Sequence, residues 1–348
     1  MPNIKGLIFR IKTLLVAISL LVMSGCTSFG SHVLSNPSIY MSQPSLLNVE
    51  PEQLGIDSRK YCIDYNSSCV HYLFAEAYQA HEFPENANVY YNLHATGNNV
   101  ENVVSYKATP ENFNRINGTA VLLHGFGASK EAMMAMSIYF RSIGMDIIAL
   151  DLFGHGQSEQ EFVFGAKEHT LFTRLIEEVV KQNSLSEPLI LVGHSMGALP
   201  ASNVLIESSA VDGAILLAPM IRFDYAAKQY LAYKNSTLSE MFSDYMDGIV
   251  SKSMADKNVS LQDTNIPMKI KSVRKPILII NSDVDSISPY KHFSHLENHF
   301  IQLEMFRGRS HPSLVAFDFA DTKIIENWIS KNFPTALSKV QSAVSESL

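Results

Sequence analysis

The run Gly193-His194-Ser195-Met196-Gly197 follows the apolar segment Pro188 to Val192 and precedes a helix-compatible stretch, Ala198 to Ile206. A serine on a sharp turn from strand to helix is pushed clear of the backbone. Small flanking residues are needed there because a Cβ would strike the neighbouring strand or helix. A hydroxyl is a poor nucleophile until a base takes its proton, and that base works best when a carboxylate orients it. Two later loops offer such groups. Asp283 and Asp285 follow the apolar segment Ile277 to Ile280, and His311 follows a segment ending near Phe306. His292, His295 and His299 lie before that last segment, in or near an expected helix, and read as surface residues. The chemistry available is nucleophilic attack by Ser195 on an acyl carbon, with His311 moving the proton.

Such a site needs a frame that delivers loops to one edge. Expected strands are Val100–Tyr106, Thr119–Leu123, Met145–Leu150, 188–192, Ala214–Leu217, Ile277–Ile280 and Phe300–Met305. Helical spacing over Lys130–Ser142, Thr170–Gln182 and Leu314–Ile329 alternates with them. This rhythm predicts an α/β protein, a mostly parallel sheet covered by helices on both faces. Residues 221–272 interrupt it with helical sequence rich in Tyr and Met, and are expected to form a cap over the strand carboxyl ends. Pro200, early in the helix after Ser195, is expected to disturb that helix. Residues 51–99 carry a helix-like piece around Val70–Ala80 and have no assigned role. Residues 333–348 form a tail.

Four motifs in order resemble the α/β-hydrolase superfamily, and within it the monoacylglycerol lipase/lysophospholipase-like serine hydrolases. They are His124-Gly125-Phe126-Gly127, Asp151-Leu152-Phe153-Gly154-His155-Gly156-Gln157-Ser158, the serine turn and the two late loops. The resemblance spans about residues 100–332. It implies a catalytic triad of Ser195, Asp285 and His311, because Ser282, Asp285 and Pro289 match the family's frame for the acid. It also implies an oxyanion hole from the backbone N–H groups of Phe126 and Met196. Arg309 and Ser310 replace smaller residues and are expected to alter the site's rim. The implied substrate is a lipid-like carboxylic ester, with Met241 and Tyr245 expected to line an acyl pocket. Amide or thioester cleavage by the same triad is the alternative, and Glu240, Asp244 and Asp247 could then receive an amino terminus. A non-enzymatic surface lipoprotein is the third reading, and an intact triad counts against it. No metal-binding Cys/His cluster is present and the chemistry calls for no cofactor.

The chain has 348 residues, 46% hydrophobic and 18% charged, with net charge −7. Its acidity, without a basic run beyond the extreme N-terminus, disfavours nucleic acid as a partner. Lys5, Arg10 and Lys12 precede the apolar run Leu14–Met23, and Ser24-Gly25-Cys26 follows. This resembles a bacterial lipoprotein signal, with residues 1–25 removed, Cys26 lipidated and residues 26–50 a tether. The expected location is the cell envelope, and Thr27 resembles signals sorted to the outer membrane. In an exported protein the pair Cys62 and Cys69 is expected to form a disulfide. Cys26→Ser is expected to remove the protein from the membrane fraction or leave it unprocessed. An unmodified mature N-terminus other than residue 26, read by mass spectrometry, would refute the lipid anchor.

Overall fold

Apolar segments without a polar face must be covered on both sides, and the central strands obey this. A computed structural model of the protein describes residues 27–37, 49–63, 69–79, 89–97, 100–110 and 113–337. Its strands are β1 (Asp57–Tyr61), β2 (Val70–Ala75), β3 (Tyr90–Gly97), β4 (Val100–Lys107), β5 (Gly118–Leu123), β6 (Met145–Leu150), β7 (Leu189–His194), β8 (Gly213–Leu217), β9 (Ile277–Asn281) and β10 (Ile301–Met305). Eight form one sheet in the order β1-β2-β6-β5-β7-β8-β9-β10, while β3 and β4 pair as a separate hairpin. Strands β5 to β10 run parallel, and β1 and β2 join the β6 edge antiparallel.

The helices are α1 (residues 27–34), α2 (Met134–Ile143), α3 (His169–Asn183), α4 (Ala198–Glu207), α5 (Phe223–Lys234), α6 (Ser236–Ala255), α7 (Ile266–Ile270) and α8 (Phe319–Asn332). The twofold alternation along β7 divides the core. Leu189 and Leu191 pack with Leu175 of α3 and Val204 of α4, whereas Ile190 and Val192 pack with Ile138 of α2 and Trp328 of α8. Residues 221–272 supply α5, α6 and α7, the helical cap.

Several expectations are revised. Val70–Ala75 is a strand, not a helix: all but His71 are buried, and β2 pairs with β1 and β6 on its two sides. The segment before residue 100 therefore builds two strands of the main sheet and half of the hairpin. Val100–Lys107 is a strand, but lies outside the main sheet. The closing helix begins at Phe319, where Asp318 caps it, and residues His311–Val315 form a separate 3-10 turn. Pro200 falls at the third position of α4, where a backbone N–H has no intrahelical partner, so its missing donor costs that helix nothing. Within the expected tether, α1 lies on the cap: Ser253 Oγ is 3.1 Å from Ser31 Oγ, and Ser31 is buried. Cys62 and Cys69 are joined as a disulfide. The expected signal peptide and Cys26 lie outside the described residues.

Glu168, just before α3, is fully buried. One carboxylate oxygen accepts the Lys167 N–H at 3.0 Å, and burial pushes its pKa up to about 7. An acid raised in the folded state contributes stability that is complete below its ordinary value of 4.5 and is lost as pH rises through about 7. Glu168→Gln, which mimics the protonated form, is therefore expected to raise Tm by a few degrees at pH 8 and to leave it nearly unchanged at pH 4. Equal shifts at both pH values in thermal melts would contradict this.

Candidate active site

Ser195 sits where β7 ends and a short 3-10 turn leads into α4. Its φ is 54°, in the left-handed region that a residue with a side chain rarely adopts. The flanking glycines make the turn possible. A Cβ on Gly193 would lie 2.6 Å from the Gly197 carbonyl oxygen, and one on Gly197 would collide with the Leu123 and His124 carbonyls. The turn is thus wedged between β5 and α4, and Ser195 is aimed off the sheet edge.

His311 meets that hydroxyl. Its Nε2 lies 2.9 Å from Ser195 Oγ, and its Nδ1 lies 2.7 Å from Asp285 Oδ2. Nδ1–H donates to the carboxylate, which leaves Nε2 free to accept the serine proton. The other Asp285 oxygen, Oδ1, accepts the N–H groups of Ile287 at 2.8 Å and Ser288 at 3.3 Å. Burial works to raise the Asp285 pKa, but His311 and these two amides outweigh it and hold the carboxyl below its ordinary value. Ser282 closes this turn with its own side chain, its Oγ accepting the Val284 N–H at 3.3 Å. Asp283 points elsewhere: its Oδ1 accepts the Gly308 N–H at 2.7 Å.

The loop after β5 carries the first oxyanion candidate. A Cβ on Gly125 would lie 3.2 Å from Ser195 Cβ, so this glycine lets the Phe126 peptide approach the serine. The second candidate, the Met196 N–H, lies at the start of the turn into α4, where first-turn amides are open to a negatively charged oxygen. The Phe126 loop is held by its histidine. His124 Nε2 accepts the Leu152 N–H at 3.1 Å, and its Nδ1–H donates to the Gly125 carbonyl at 2.8 Å. Leu152 is fixed in turn by Asp151, which accepts from Lys130 N, Lys130 Nζ and Gln157 N at 2.8–2.9 Å. Lys130 is fully buried. Burial opposes its charge, yet Asp151 and Glu131 raise its pKa above the ordinary value. Sequence reasoning missed Lys130, because a lysine opening a helix carries no sign of burial.

Three more histidines are buried near this edge, but among the described residues it is His311 that bonds the Ser195 hydroxyl. Burial lowers His194 to about 3, aided by His311, and lowers His124 to about 4 and His155 to about 3. All three are neutral near pH 7. His194 Nε2–H donates to the His311 carbonyl at 3.1 Å. His292 and His295 lie in 3-10 turns, and His299 just before β10. Arg309 does not shape the rim: it is buried, bonded to Ser313, Ala316 and Asp321.

The cap lies over this edge. Tyr230 of α5 is 5.8 Å, ring to ring, from Phe126, and Phe126 also meets Phe162 and Phe223. Met241, in contrast, is 58% exposed on α6, so it does not line the expected pocket. Glu240, Asp244 and Asp247 are exposed as well, and Asp247 pairs with Lys228.

A family model described as serine aminopeptidase, S33, matches residues 114–265. That span holds the Phe126 loop, the Asp151 turn, Ser195 and most of the cap, and ends before Asp285 and His311. No curated protein sequence matches the chain. Among solved structures, an esterase of Pyrococcus furiosus aligns with a TM-score of 0.56 at 15% identity, covering 84% of this chain and 96% of its own. A soluble variant of monoglyceride lipase from Saccharomyces cerevisiae, in complex with a substrate analog, aligns with a TM-score of 0.54 at 12% identity, covering 85% and 99%. The chain has the α/β-hydrolase fold.

Two substitutions separate the aspartates. Asp285→Asn is expected to lower kcat by ~10⁴-fold, because the imidazole loses its orienting carboxylate. Asp283→Asn is expected to cost far less, since an amide oxygen can still accept the Gly308 N–H. The reverse ranking in steady-state kinetics would move the acid to Asp283.

Proposed function

We propose that this protein is a serine hydrolase that cleaves carboxylic esters through an acyl-enzyme. The observation that carries the proposal is the bridge of His311 between Ser195 and Asp285. Ser195 Oγ attacks the ester carbonyl as its proton passes to His311 Nε2. The oxygen that becomes negative is stabilised by the Phe126 and Met196 N–H groups, each worth ~3 kcal/mol in such a role. His311 then protonates the departing alcohol. In the second half His311 takes a proton from water, the hydroxyl attacks the acyl carbon, and the acid leaves Ser195. Asp285 keeps the imidazole in the required tautomer throughout.

The substrate class follows from the aromatic wall beside Phe126. Phe126 and Tyr230 are only partly buried and Phe126 stands against the buried Phe162 and Phe223, an apolar surface that favours an acyl chain, although the Lys234 ammonium stands 5.5 Å over the Tyr230 ring. The reading is therefore a lipid-like ester of the monoacylglycerol or lysophospholipid type. The family description favours amide cleavage as the second reading. Against it, the cap carboxylates that could receive an amino terminus are exposed on α6. Membrane attachment through Cys26 belongs to the same proposal. Supporting it, the helical residues 27–34 lie along α6, with Gly30 against Ile249, so an anchor just before them would hold the cap near a membrane face.

Burying each methylene is worth ~0.8 kcal/mol, so kcat/KM is expected to rise several-fold per added carbon until the pocket is full. Tyr230→Ala is expected to flatten that profile more than it changes the rate on acetate. The test is a series of ester, thioester and aminoacyl-amide substrates on the protein lacking residues 1–26. A maximum at acetate, or a preference for an aminoacyl amide, would overturn the lipid-ester reading while leaving the triad in place.

A further inference from the structure

The base is carried on a loop, and a loop must be held if its imidazole is to meet two partners at once. In this chain, contacts hold each residue from 308 to 311. The Gly308 N–H donates to Asp283. Asn102 of β4 brackets the next residue, its Nδ2 donating to the Gly308 carbonyl at 2.9 Å and its Oδ1 accepting the Ser310 N–H at 2.7 Å. Between them, the Arg309 side chain turns inward. Its guanidinium donates to Ser313 Oγ at 3.1 Å, the Ser313 carbonyl at 2.5 Å, the Ala316 carbonyl at 2.7 Å and Asp321 Oδ2 at 2.5 Å. The His311 carbonyl accepts from His194.

We propose that Asn102 and Arg309 are positioning residues for His311, clamping its loop from the hairpin on one side and from α8 on the other. The division of labour follows from their chemistry. Asn102 supplies one donor and one acceptor, as a paired strand would, and so fixes the height of the loop backbone. Arg309 offers a rigid planar fork that ties the loop to the 3-10 turn that His311 opens and to the first turn of α8. Asp321 is itself fixed, because its Oδ2 accepts the Asp318 N–H at 3.1 Å in the α8 cap. The hairpin is anchored beyond Asn102 as well: Tyr91 Oη donates to the Phe317 carbonyl at 2.7 Å and accepts the Phe317 N–H at 2.9 Å. The β3–β4 hairpin, outside the main sheet, thus acquires a role at the catalytic edge.

The inference rests on His311 being the base, and the experiment separates the two claims. Asn102→Ala, Asn102→Asp, Arg309→Met, Arg309→Lys and His311→Ala are compared with wild type well below each protein's Tm. Displacing a reacting group by about 1 Å can cost ~100-fold, so Asn102→Ala and Arg309→Met are expected to lose between about 10-fold and 100-fold in kcat, with KM little changed. Labelling of Ser195 by a fluorophosphonate is expected to slow in proportion. Asn102→Asp keeps the acceptor for Ser310 but sets a carboxylate oxygen against the Gly308 carbonyl, and should lose at least as much as Asn102→Ala. Arg309→Lys keeps the charge but not the fork, and should recover only part of the loss. A merely structural role would lower Tm and leave kcat of the folded variant intact. If Arg309→Met does not fold, Asn102→Ala decides, since Asn102 is only half-buried. Full kcat in folded Asn102→Ala, with His311→Ala inactive, would overturn the positioning role alone. Full activity in His311→Ala would overturn the reading of the site itself.

Discussion

The left-handed backbone of Ser195 is the constraint on which the site depends. Its cost is of order 1–3 kcal/mol, and it persists only because packing leaves no alternative. The turn packs so closely against the end of β5 and the start of α4 that it can accommodate nothing larger than glycine at 193 and 197. The same closeness lets Gly125 bring the Phe126 peptide up to the serine. It also starts α4 beside the hydroxyl, so the amides that can stabilise an oxyanion need no separate arrangement. The acid and base arrive on loops after β9 and β10, delivered to the same edge by the parallel sheet.

Around this turn the protein buries several polar groups and fixes the protons of those closest to the triad. His124 bonds through both ring nitrogens, His194 donates to the loop of the base, and Asp285 has each oxygen occupied. Such groups would be costly if left unsatisfied, so the surrounding network is as necessary as the triad. The buried pair of Lys130 and Asp151 belongs to this support: it fixes the turn whose Leu152 N–H orients His124. Neutral, bonded histidines leave His311 as the imidazole poised between a hydroxyl and a carboxylate.

Much of this is legible in sequence where the physics is local. Strands β5 to β10 are apolar runs bounded by turns, and the elbow needs glycines at two fixed positions, so both can be read directly. Asp285 is favoured over Asp283 only through the resemblance, whose frame Ser282, Asp285 and Pro289 match, and the structure gives Asp283 a backbone partner in the His311 loop. What is not legible depends on partners distant in sequence. Val70–Ala75 carries an apolar run that suits either helix or strand, and its neighbour β6 decides the matter. Asn102 lies 208 residues from Ser310, and Arg309 carries no local sign that its charge turns inward. Met241 has the right chemistry for an acyl pocket, but the turn of α6 directs it to solvent.

The central claim is a covalent acyl intermediate on Ser195, and mass spectrometry of a rapidly quenched reaction tests it most directly. The full protein is mixed with a nitrophenyl ester of a medium-chain acid and quenched in acid before a single turnover is complete. The account predicts a burst of nitrophenol and a mass increase equal to one acyl group, mapped to the peptide containing Ser195. Turnover without any acyl adduct, or an adduct on a different residue, would contradict it.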